Sequence, residues 1–189
     1  MESKEMTYFR LFREVCRQIN STLDLSKILT LITENATKAL VAKGCIIYLL
    51  DRRDKKLKIS AHYGLSDAYI EKGPVDADKS IMASLQGEMV FICDAAKDDR
   101  LQYPEMARQE GIGTILSIPM SVRGQIIGVL RIYTAGPRNY EEIEAEFAAG
   151  LADMSSIAIE NARMYSHLDM NHQKLINDIS VWFDYGARS

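Results

Sequence analysis

Hydrophobic and polar positions alternate along this chain in two rhythms. Tyr8, Phe12, Val15 and Ile19 follow one another at intervals of four, three and four, which is one face of a helix. After Asp24, a residue suited to a helix N-cap, the positions Leu25, Ile28, Leu29, Ile32, Ala36, Ala39 and Leu40 keep helical spacing. Gly44 is expected to end this second helix, because glycine accepts the left-handed conformation found at helix C-termini. Residues 45–50 then form a continuous apolar run, too short for a typical helix and rich in β-favouring side chains, which predicts a buried strand. Leu57, Ile59, Ala61 and Tyr63 alternate with Lys58, Ser60 and His62, so the next strand should pair back as a hairpin. The basic cluster at residues 52–56 would be its solvated tip.

The stretch 65–87 is mixed and broken by Gly73-Pro74, and predicts short helices. Residues 89–92 predict a third strand. Pro104 suits the first turn of a helix that Gly111 closes. The segment 114–122, the turn Arg123-Gly124 and the segment 125–134 predict a second hairpin. Its strands are apolar because both of their faces are covered, and Gly124 can take positive φ in the turn. Pro119 cannot donate to the ladder, so a bulge or an unpaired position is expected there. Asn139 and Glu142 suggest a capping box variant for the final helix. Phe147, Leu151, Met154, Ala158, Asn161, Tyr165, Leu168, His172, Leu175 and Ile179 recur at intervals of four and three, a heptad seam on a helix that should outrun the domain.

This order of elements predicts an α+β fold, with one mainly antiparallel sheet, a helical layer on one face and short helices and loops on the other. A length of 189 residues allows one domain with a proper core, and a net charge of −3 gives no pull towards nucleic acid or anionic membrane. No apolar run approaches the roughly 20 residues of a membrane span. The N-terminus lacks a signal-peptide pattern. Cys16, Cys45 and Cys93 have neither disulfide-framework nor zinc spacing, which suits a reducing cytoplasm.

The segments LVAKGCIIYLLD, LKISAHYGL, FICDAAKDDRLQYPEMARQEGIGTILSIPMSVRGQIIGVLRIYTA and ADMSSIAIENARMY together resemble the GAF domain family, over roughly residues 23–166. The resemblance implies an antiparallel sheet backed on one face by the first and last helices, with a small-molecule pocket on the other. Residues 1–22 would then be an N-terminal helix in a dimer bundle, and 167–189 a helical extension. Strand parity assigns the faces. Leu116, Ile118, Leu130 and Ile132 suit the helical layer; the set Ile115, Ser117, Pro119 and Val129, Arg131, Tyr133 suits a pocket of apolar walls with a few polar groups. Ser60 and His62 would share the pocket side. A buried Arg131 would need an acid partner or an anionic ligand. The loop containing Asp94, Arg100 and Tyr103 resembles the family's pocket lid.

Function divides three ways. A non-catalytic sensor would bind an unidentified small molecule through Ser60, His62, Asp94, Arg100, Tyr103, Ile115, Ser117 and Arg131. It would signal as a parallel homodimer through Phe12, Val15, Ile19, Leu151, Met154, Ala158, Asn161, Tyr165 and Leu168. Its output would be a signalling partner in trans, or the chain would be a fragment. The second reading is an enzyme resembling free methionine sulfoxide reductase; the stretches that carry that family's cysteines, DADKSIMASLQGE and GIGTILSIPM, contain none. The third is a module that only dimerises. The Asn-Lys and Phe-x-x-x-Asp-Glu pattern of cyclic-nucleotide binders is missing. Cys93 lacks the context of bilin attachment, and His62 is a lone candidate for haem. No cofactor, metal or catalytic residue is expected, and no nucleic-acid or membrane partner.

Overall fold

A computed structural model describes residues 3–51, 53–54, 56–75 and 78–186, with side chains as far as residue 176. Arg52 and Lys55 of the expected hairpin tip lie outside the described residues, as do the side chains of Ile179, Trp182, Phe183 and Tyr185.

The N-terminal helix α1 (Lys4–Ile19) is capped by the Ser3 hydroxyl, which accepts from the Met6 N–H. In α2 (Leu25–Ala39), Asp24 accepts from the N–H groups of Ser26 and Lys27, satisfying orphan donors of the first turn. Gly44 does not end α2. It begins strand β1 (Gly44–Leu50), and a Cβ there would stand 2.6 Å from both Leu65 Cγ and the Tyr63 carbonyl. The glycine permits a close backbone approach, and the left-handed step after the helix is made by Val41, at φ 49°.

Next come β2 (Leu57–Tyr63), two short helices α3 (Asp67–Ile70) and α4 (Lys79–Leu85), β3 (Val90–Ile92), α5 (Pro104–Gln109), β4 (Thr114–Val122), β5 (Gln125–Thr134) and α6 (Glu142–Gly186). The strands form one five-stranded sheet of order β2-β1-β5-β4-β3. Every neighbouring pair is antiparallel. The hairpin turn places Arg123 at φ 53° and Gly124 at φ 75°, the two positive values that let a two-residue loop follow the strand twist. The expected irregularity near Pro119 falls one step later: Pro119 pairs with Val129, and the register shifts between Met120 and Ser121.

Side-chain alternation splits the core into two layers. Cys45, Ile47 and Leu49 of β1, Leu116 and Ile118 of β4, and Leu130 and Ile132 of β5 pack against α1, α2 and α6. Ile46, Tyr48, Ile115, Val129 and Tyr133 face the other way, under α3, α4, α5 and their loops. A second register shift lies between Ile47 and Tyr48: Ile47 pairs with Ala61 while Tyr48 pairs with Ile59. This bulge takes Ser60 out of the ladder and moves Ala61 to the helical face, although Leu57 and Ile59 pack on the opposite layer.

The final helix starts at Glu142, and its capping acid is Glu144 rather than the expected Asn139 and Glu142 pair. Glu144 accepts the Glu141 N–H at 3.0 Å, receives the Tyr8 hydroxyl at 3.1 Å and pairs with Arg138, tying α1 to the start of α6. At 45 residues, α6 extends over about 67 Å. Its first half is a wall of the domain: Phe147, Leu151, Ala152, Ala158 and Ile159 are buried there. Four residues expected between subunits are therefore spent within one. Val15, Ile19, Leu151 and Ala158 are each at most 6% exposed, because α1 and α6 close over the sheet of their own chain. Phe12 meets Phe147 edge-on at 6.3 Å and Met154 is half-buried, while Asn161, Tyr165 and Leu168 stay exposed. The open apolar stripe joins Leu168 and Leu175 of the expected seam with Ile157 and Met164, each one position before the seam residues Ala158 and Tyr165.

Candidate functional site

The layer away from the long helices holds a buried polar patch. Arg131 sits in the middle of β5, opposite Ser117 of β4 and Ile46 of β1, and is 1% exposed. Its parity points it under α4. There Asp78 Oδ2 lies 3.2 Å from Nη1, and Nη2 donates to Ser80 Oγ at 3.0 Å. Asp78 is itself held, since its Oδ1 accepts from the Ser80 hydroxyl and from the N–H groups of Ser80 and Ile81. A guanidinium would be costly in this layer without such a partner.

The pairing leaves much unspent. Arg131 Nε and the hydroxyls of Ser117, Tyr48 and Tyr133 are buried without a hydrogen-bond partner. The Tyr48 hydroxyl lies within reach of both Tyr133 and the guanidinium, so these groups face one another at close range without meeting in good hydrogen-bond geometry. Burial pushes the phenols of Tyr48, Tyr69 and Tyr133 up, so they stay protonated and act as donors. The Tyr69 ring meets Tyr133 edge-on at 5.7 Å, and Lys72 Nζ stands 3.8 Å from the Tyr69 centroid on that ring's face. Burial, then the charge of Arg131, lowers Lys72 to about 8. Ile115, Val129, Val75 and Ile81 supply apolar walls.

The expected site residues separate into groups. Ile115, Ser117 and Arg131 are brought together. His62 pairs with Ile46 on the pocket side, but at an exposed strand end; Ser60 sits in the bulge with its hydroxyl turned to the Lys58 carbonyl. Asp94 is occupied by the Ala96 N–H and by Lys97, and Arg100 by a two-pronged pair with Asp98 and a bond to the Phe91 carbonyl. These two hold their own loop in shape. Tyr103 lies half-buried before α5, and its hydroxyl donates to the Pro74 carbonyl at 2.9 Å, fastening the 71–75 segment to the loop around residue 100. The sequence reading omitted Tyr48, Tyr69, Lys72, Asp78 and Ser80 as site residues. Tyr133 appeared only by parity with Arg131. Tyr48 obeys the same alternation and was readable from it, whereas Asp78 and Ser80 fall in a stretch without periodicity.

Thiols are absent from this patch. Cys45 is on the helical face, where burial raises its pKa; Cys16 is half-buried on α1 and raised for the same reason; Cys93 is exposed after β3. Among the described residues no cluster of three or more His, Cys, Asp or Glu could hold a metal. No described helix is long and apolar enough to cross a membrane.

Residues 22–160 match the GAF domain family. The chain belongs to the GAF family. The GAF domain of a phosphoenolpyruvate-protein phosphotransferase from Coxiella burnetii superposes with a TM-score of 0.76, covering 87% of this chain and 99% of that one at 21% identity. The free methionine-R-sulfoxide reductase of Neisseria meningitidis, solved with its substrate, gives 0.71 at 16% identity over 87% of this chain and 95% of its own. At these identities the likeness concerns the fold. In sequence, the chain is 28% identical over 156 residues to the methyl sulfide methyltransferase-associated sensor of Methanosarcina acetivorans. That alignment takes in 79% of this chain and 16% of the relative.

Proposed function

We propose that this GAF domain is a non-catalytic sensor, which takes a small molecule against the polar patch around Arg131 and signals through a dimer of its C-terminal helices. The observation that carries the reading is the set of buried, unpartnered polar atoms on one roofed face of the sheet. Such groups cost stability where they stand, and a bound molecule that satisfied them would recover it. The relative named as a sensor supports the same reading. The thiol placement supports a binding role over a reductase one. A thiol-based reductase needs an activated cysteine beside a resolving one, and here the cysteines are dispersed and two are raised by burial.

The output side rests on α6. Ile157, Asn161, Met164, Leu168 and Leu175 follow one another at intervals of four, three, four and seven, and are open on a single chain. A second copy would cover them in a parallel seam. The test is mass spectrometry of small molecules released from protein purified from its own host, with sedimentation of the same sample. A stoichiometric compound and a dimer are expected. Protein that is empty and monomeric at micromolar concentration would defeat the proposal.

A further inference from the structure

We infer that the molecule received at the Arg131 patch is a short aliphatic monocarboxylate, its carboxylate lodged among Arg131 Nε, Tyr48 and Tyr133, and its chain against the apolar walls. The inference rests on the sensor reading above and adds the chemistry of its ligand.

Three features converge. First, the Arg131 Nε–H can only donate, and the protonated hydroxyls of Tyr48, Tyr133 and Ser117 can donate as well as accept. Both oxygens of the nearby Asp78 already accept hydrogen bonds. The patch therefore lacks an acceptor for Nε, and the hydroxyls can donate to the same acceptor group. Second, the charges do not balance. Arg131, Lys72 and Lys43 bring three positive charges, Asp78 and the Glu110 that Lys43 pairs with bring two negative, and the Arg131–Asp78 contact uses a single nitrogen. One negative charge on the ligand closes the count; a phosphate dianion overshoots it in a layer where excess charge is costly. Third, the remaining surface is aliphatic, from Ile46, Ile115, Val129 and Val75. It offers no acceptors for a hydroxyl-rich body.

Lys72 makes the idea testable by pH. The groups around its ammonium are the Tyr69 ring, Arg131, Asp78 and Glu110. Burial and Arg131 weaken its hold on the proton, so carboxylate affinity should fall as pH rises from 7 to 9. Replacement by methionine should flatten that dependence.

The experiment titrates the ¹⁵N-labelled full chain with the straight-chain acids from acetate to hexanoate, the matching primary amides and methyl phosphate, following backbone amides of Tyr48, Ser117, Arg131 and Tyr133. The acids should bind at least tenfold more tightly than the amides or methyl phosphate. The Tyr48→Phe/Tyr133→Phe double variant should lose at least tenfold in acid affinity while melting no lower than the parent, and Lys72→Met should abolish the pH slope. Molecules extracted from the purified protein should be acids. Amides binding as well as acids, or extraction of a neutral or cationic compound that shifts the same resonances, would overturn the carboxylate while leaving the sensor. Failure of every probe, with nothing extracted, would overturn both.

Discussion

The two faces of this sheet are built from alternate residues of the same strands, yet they solve different problems. Beneath α1, α2 and α6 the strands present apolar side chains, and the unmatched hydroxyls of that layer, Tyr140 and Ser155, come from the final helix and the segment before it. On the other face an arginine, two tyrosines and a serine are enclosed with several of their polar atoms unmatched. Burial of hydrocarbon stabilises the first layer in proportion to area, whereas the second gives up stability for chemistry. One face of a strand can therefore carry hydrocarbon while the other carries polar groups, with no separate segment set aside for either.

The largest way to disturb this division is to remove the acid that compensates Arg131. Asp78→Ala should cost about 3–5 kcal/mol, because it strands a buried guanidinium. Urea denaturation would measure it, and a loss below about 1 kcal/mol would mean that water reaches the pair. Next come neighbouring residues of β5 on opposite faces. Ile132→Ala should cost about 2–5 kcal/mol by leaving a hole in the apolar layer. Tyr133→Phe, one residue away, should be neutral or stabilising in the empty protein, because it deletes an unpartnered hydroxyl. Equal losses at the two positions would erase the contrast.

A smaller effect is electrostatic. The folded value of Lys72, about 8, lies below its ordinary value of 10.5. The unfolded chain therefore binds more protons between these values, and stability should rise with pH across that interval. The penalty is fully present below pH 8 and gone above about 10.5. Lys72→Met should thus be more stable than the parent at pH 7, with the gap in urea midpoints closing as pH approaches 10.5. The smallest expected change in folding is Leu168→Asp, on the open part of α6, at within about 0.5 kcal/mol. The same variant should sediment as a monomer if the stripe is covered by a second copy.

Much of the scaffold was readable because its signals are local. The hairpin of β4 and β5 was bounded by Arg123-Gly124, and the face assignment of Leu116, Ser117, Leu130 and Arg131 followed from a period of two. Asp24 and Pro104 marked helix starts by hydrogen bonds that their own chemistry sets. What escaped is non-local. The bulge in β2 that removes Ser60 from the ladder depends on pairing with β1. The role of Gly44 depends on Leu65 arriving beside it. The heptad seam was real as a repeat, but repeats do not say who covers them, and the residues up to Ala158 are covered by their own sheet. Asp78 could not be matched to Arg131, 53 positions later, because only the tertiary fold brings α4 over β5.

Because β4 is a single layer of backbone, Ser117 looks towards the polar patch while its immediate neighbours Leu116 and Ile118 press towards the wall that α6 forms. A slide or tilt of this strand is thus felt on both sides at once, with no relay of intermediate side chains. Whatever displaces Ser117 therefore also displaces the seat of the long helix.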